Sequence, residues 1–411
     1  MFRCHSILIL FLVLLAYAVK ANSNVSLLEE DTANQRSLVL LFDRDLSAYA
    51  GANLVLSVAD AYDYTTSYVL ENFLQAYRKN SLMRIGALFL DYSVVSYLST
   101  FQHELFGHAY ILRKNNIDYD WHVGVNSGYV SYMSDDVYAI AQQEALYLSL
   151  AGIESEQILA DVLTKKILGH GGVNTADYLL YVSTKSLWDY ANSTSSIASQ
   201  NSEGNDIVGY VTDINKLYGT DVISIQDVKD ASQLSLLDPL MWFSLYQVYT
   251  NINTYENTKI PLFHFDRFSY LPSVRAILTP FGIETKVMNY FISKDWLTKL
   301  SITSGKTGNH ASKAIQLEID GIALTNKLSI DLGIYIWQQP ELDLESDSSV
   351  AINYNQTAVS KSGFLLSSAA YYAVNQSMQA IVELGYKKKG FVAGYDLDAG
   401  FYTRLGVDYN W

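Results

Sequence analysis

From about Pro272 to the end of the chain, apolar side chains fall on alternate positions, and this period decides what the second half can become. The clearest run is Phe391, Ala393, Tyr395, Leu397, Ala399, Phe401, Thr403, Leu405, Val407, Tyr409 and Trp411, with Gly394, Asp396, Asp398, Arg404, Asp408 and Asn410 between them. Alternation by two places an apolar wall on one sheet face and a polar wall on the other. Ile330, Leu332, Ile334 and Ile336 repeat it, as do Met378, Ala380, Val382 and Leu384, and Ile315, Leu317 and Ile319. The length of the runs, the aromatics on the apolar parity and the final in-phase Trp411 point to an antiparallel β-barrel of about eight to ten strands, apolar outside and polar within. The closing aromatic resembles that of bacterial outer-membrane barrels. A water-soluble β domain with an apolar interior is the alternative.

The first half has a different grammar. All five prolines lie after residue 238, so nothing there breaks a helix in that way. Long apolar blocks run over Met83–Arg113, Asp136–Leu168, Thr175–Ala191 and Ser235–Tyr255, each suited to a buried or half-buried helix. Asn174 is placed to cap the third block, and Asn192–Gly209 reads as a loop. The expected class is therefore α+β, with a helical domain over 83–260 followed by the β-barrel over 270–411, and a segment 22–82 ahead of both.

Residues 1–21 read as a secretory signal, with Arg3 ahead of the apolar run Ile7–Val19 and small residues at the cleavage positions. The one cysteine of the 411 residues, Cys4, lies inside it, so the rest of the chain has no thiolate ligand or cysteine nucleophile. Export without cysteine points to a bacterial outer membrane, with periplasm or secretion as alternatives. A net charge of −14 argues against nucleic-acid binding. Any metal must be held by His, Asp and Glu.

His103-Glu104-Leu105-Phe106-Gly107-His108 supplies such ligands near the end of the Met83–Arg113 helix. At i and i+5 on an ideal α-helix, two histidines stand about 140° apart, too far to share an ion. One π-type turn brings them onto one face, and Gly107 makes that turn easier. His103 and His108 can then reach a Zn2+ ion, with Glu104 beside the water it activates.

The six residues resemble His-Glu-x-x-Gly-His, the signature of the dipeptidyl peptidase III metallopeptidases. The resemblance implies two zinc-binding histidines, a glutamate that activates water, and a third carboxylate ligand from a later helix. The matching segment is Gly152-Ile153-Glu154-Ser155-Glu156-Gln157-Ile158-Leu159-Ala160-Asp161, in which Ser155 splits the acids and Gln157 stands where the family has its ligand. Helix geometry favours Glu154 as third ligand, because Glu154, Ile158 and Asp161 share a face; Asp161 would then orient a ligating histidine. Glu156 and Glu144 are the other candidates. Gly152 leaves room for close approach of the motif helix. His122 and His170 are weaker candidates for any site role.

The function expected is an exported, outer-membrane-associated zinc metallopeptidase that hydrolyses peptide bonds, its substrate a peptide or protein. The alternative is a non-enzymatic outer-membrane barrel protein with a structural metal site in its helical domain.

Overall fold

The computed structural model describes residues 37–73, 80–125, 127–133, 142–170, 174–194, 205–218, 221–254, 258–342 and 359–410. The expected signal segment and Trp411 lie outside them. The chain is α+β, helices first and strands after, with one early strand added to the sheet.

That strand is β1 (Ser37–Phe42), followed by α1 (Ala48–Phe73) and α2 (Ser81–His103). A π-helical turn, Glu104–His108, joins α2 to the short α3 (Ala109–Lys114). A hairpin of β2 (Tyr119–Gly124) and β3 (Ser127–Tyr132) leads to the long α4 (Gln142–His170). Then come α5 (Thr175–Ser183), α6 (Ser186–Ser193), α7 (Asp206–Tyr218), α8 (Ile225–Ser232) and α9 (Pro239–Thr254). Asn174 caps α5 as expected, accepting from Asp177 N–H at 2.8 Å. The single helix expected over Thr175–Ala191 is broken at Thr184–Lys185, where Lys185 Nζ turns inward to Asp238 at 2.6 Å.

The sheet continues with β4 (Phe263–His264), β5 (Ser269–Thr279), β6 (Gly282–Ile292), β7 (Leu297–Thr307) and β8 (His310–Thr325). It ends with β9 (Leu328–Pro340), β10 (Ser360–Ala373), β11 (Met378–Lys387) and β12 (Gly400–Asn410). Neighbours in sequence pair antiparallel from β4 to β12, and β1 pairs with β12, giving ten strands in one ladder. Here the expectation of a closed barrel is corrected: among the described residues the outermost strands, β1 and β4, do not pair with each other. A helix covers the β1 edge, where the Ser57 hydroxyl of α1 bonds both the N–H and the carbonyl of Val39. The alternation through 391–399 is also not strand. Gly390 and Gly394 hold positive φ there, and the segment folds inward to bury Val392, Tyr395 and Leu397. Lys387 is buried and donates to the Lys388, Gly390 and Leu397 carbonyls.

One face of the sheet exposes apolar side chains and the other buries charged and polar ones. Ile302, Ile315, Ile336, Leu366, Leu384 and Leu405 are exposed, and Phe401 reaches 87%. Arg275, Glu284, Lys286, Lys299, Gln316 and Arg404 are buried. The buried face packs around α1 and α4. Asp161 of α4 meets Arg275 at 2.6 Å, Lys299 at 2.9 Å and Lys286 at 3.2 Å. Lys165, one turn on, meets Asp320 at 2.8 Å and Glu318 at 2.9 Å. Arg404 lies over the Tyr49 ring of α1 and pairs with Asp43 and Glu383. Buried charge is tolerable only when paired in this way.

Candidate metal centre

The π turn does what the spacing of the motif required. Ala109 N–H reaches back to Glu104 O, and the extra residue swings His108 onto the His103 face. The rings lie 4.9 Å apart, with Nε2 to Nε2 at 3.1 Å. The sequence thus places two of its expected site residues together.

The third partner is not Glu154. It is Asp206, whose Oδ2 lies 2.8 Å from His103 Nε2 and 3.2 Å from His108 Nε2. Glu154 turns away: its Oε1 accepts from the Tyr147 hydroxyl at 2.8 Å and from Gly394 N–H, in the segment joining β11 to β12. Helix geometry gives the reason. Gly152 is where α4 meets the motif helix, and position 154 stands about 200° round from it, whereas 156 is about 40° away. Glu156 therefore faces the centre, 3.5 Å from His103 Nδ1, and accepts from Ser99 Oγ at 3.2 Å. It holds the far nitrogen of a site histidine, the role expected of Asp161, which the cations of the sheet have claimed. His108 Nδ1 donates to Leu148 O at 2.8 Å, which leaves Nε2 to face Asp206. Glu144 is bound by Lys114 at 2.6 Å and lies near Asp396 and Asp398, away from the histidines. His122 is exposed and stacks on Tyr129 in the β2–β3 hairpin, and His170 ends α4.

Close backbone packing makes the cluster. An added Cβ at Gly107 would come within 2.6 Å of Gly152 Cα, and one at Gly152 would overlap both imidazole Nε2 atoms. Asp206 is set by the start of α7, where Asn205 Oδ1 accepts from Val208 N–H at 3.1 Å, and Tyr190 OH accepts from Asp206 N–H at 3.0 Å. Glu104 is buried beside the histidines, and the β2–β3 hairpin crosses it at Gly128, where a Cβ would sit 2.8 Å from Glu104 Oε1.

The electrostatics favour a cation. Burial lowers the proton affinity of His103, but Glu156 and Asp206 outweigh it and hold the imidazole well above its usual range. His108 is raised too, with Asp206 overcoming burial. Asp206 moves the other way: burial raises it, and the two histidines bring it below the carboxylate range. Burial pushes Glu104 up, suiting it to take a proton.

The donor set fits a zinc ion. Tetrahedral ligands at zinc distances stand about 3.3 Å apart, close to the 2.8–3.2 Å separations here. Three such electron-rich atoms face each other only with a proton or a metal among them. Gly152 keeps clear the space that a side chain would fill.

Asp206 was missed because it lies in a stretch rich in Ser, Asn and Gly. A signal was present nonetheless: Asn205-Asp206 precedes Ile207, Tyr210, Val211, Ile214 and Leu217, a capped helix with an apolar face. No protein-family model, curated protein or solved structure matches the chain.

Proposed function

We propose that the chain is an exported, outer-membrane-associated zinc metallopeptidase. The observation that carries this reading is the meeting of His103 Nε2, His108 Nε2 and Asp206 Oδ2 within 3.2 Å of one another, with Glu104 alongside. A zinc ion held there would supply a Lewis acid for a peptide carbonyl and lower the pKa of water. Glu104 takes the proton of the attacking water and delivers it to the departing amine. Glu156 and Leu148 O keep the two imidazoles turned toward the ion site. The β2–β3 hairpin limits water at Glu104.

Metal content and hydrolysis of a quenched-fluorescent peptide library test this together. Wild type should bind one zinc per chain and cleave. Glu104→Gln should keep the zinc and lose turnover by about 10²-fold or more. Full activity in that variant rejects the mechanism. A second reading, a structural ion, draws support from the burial of His108 and from Glu104 lying under the hairpin. It expects zinc without cleavage of any library peptide, and unfolding on chelation.

The inverted sheet supports the membrane setting. Strands of eleven residues, at about 3.3 Å per residue, would span about 25 Å at the tilt of about 45° usual in outer-membrane barrels, the height of their apolar band. We therefore read the exposed sheet face as lipid-facing and the buried polar face as the filled interior of a barrel-like wall.

A further inference from the structure

Among the described residues the ten-strand ladder is open between β1 and the β4–β5 end, and helices link the two ends. β1 packs on α1. The α1 residue Tyr62 donates to Asp91 of α2 at 2.8 Å. Arg84 of α2 donates to Ile252 O and Asn253 O of α9, at 2.7 and 2.9 Å, and α9 packs on β5. A run of contacts therefore links β1 to β5 through α1, α2 and α9.

The helices in the gap show the same inversion as the strands. Arg84 is buried and Asp91 half-buried, both turned toward neighbouring helices, whereas Leu82, Ile85, Phe89 and Tyr92 form one exposed stripe at helical spacing, Phe89 at 69%. On α9, Ser244 and Gln247 are buried while Tyr246 and Tyr249 are exposed. A helix against water turns these faces the other way. No described helix is long and apolar enough to cross a membrane alone. From Leu82 to Tyr97 α2 rises about 22 Å, matching the band on the strands.

We infer that the exposed faces of α2 and α9 contact lipid acyl chains and complete the membrane ring that the strands begin. The wall is then a hybrid, with helices standing where further strands would close a barrel. Hydrocarbon is the occupant that fits, because helices and sheet alike turn apolar side chains outward and charged ones inward. This inference rests on the lipid-facing reading of the sheet.

Spin labels on single cysteines, introduced one at a time in a Cys4→Ser background, separate the two. Full-length protein carrying Phe89→Cys, Tyr249→Cys or Ile336→Cys is reconstituted into phosphatidylethanolamine–phosphatidylglycerol vesicles. Collision with oxygen is compared with collision with a water-soluble nickel chelate. All three sites should favour oxygen severalfold. If Ile336→Cys favours oxygen while Phe89→Cys and Tyr249→Cys favour nickel, the helical part of the ring is refuted and the sheet reading stands. If Ile336→Cys favours nickel, the sheet reading fails and the inference fails with it.

Discussion

Replacing Asp206 with alanine removes the carboxylate that meets both imidazoles, so zinc per chain should fall to near zero by elemental analysis. Glu154→Ala should leave it unchanged; the reverse pattern would restore the ligand set expected from the sequence. Glu154 offers a separate test through pH. Burial, offset only partly by Gly394 and Tyr147, pushes its carboxyl up to about 8. The folded state thus holds a proton that the unfolded chain releases in the usual carboxylate range. Stability is greatest below that range and declines as pH rises toward 8, where the folded group ionises as well. Glu154→Gln, which keeps the acceptor oxygen and cannot ionise, should raise the melting temperature at pH 8.5 by several degrees, corresponding to about 2 kcal/mol or more, and change little at pH 5. An equal effect at both pH values would assign the gain to packing.

Elements succeed or fail through their contacts. The crossing of the π turn with α4 depends on Gly107 against Gly152 and the Ala151 carbonyl. Gly107→Ala must therefore push the helices apart. It should cost about 1–3 kcal/mol in thermal melts and weaken zinc binding in the same protein. This crossing was legible in the sequence, since a histidine pair at i and i+5 makes sense only with a π turn and a close neighbour. The face of α4 that meets it was not legible. That depends on where two helices touch, and local periodicity treats Glu154 and Glu156 alike. The hairpin over Glu104 and the start of α7 were hidden for a related reason: short elements among polar residues are fixed by tertiary partners. The strands Ile315–Ile319 and Ile330–Ile336 were readable because each carries a full alternation. The run at 391–399 misled because alternation cannot reveal glycines at positive φ.

At the scale of the whole molecule, Asp161 pins the sheet to the helix inside it. Asp161→Ala would leave Arg275 and Lys286 without their paired anion and Lys299 with Glu318 alone, at 3.5 Å. It should destabilise the protein by about 3–5 kcal/mol in thermal melts, far more than loss of a surface pair. A cost below 1 kcal/mol would mean that the cations find other partners.

The pairing of β1 with β12 also bears on assembly. The strand made before the helices is stitched to a strand made after all of them, Ser37 opposite Asn410. The helical half is thus threaded between two ends of one fabric rather than set beside it. Its final enclosure waits for the last strand to arrive, so a chain shortened by β12 would lose the seat of β1 and with it the anchorage of the helix that follows.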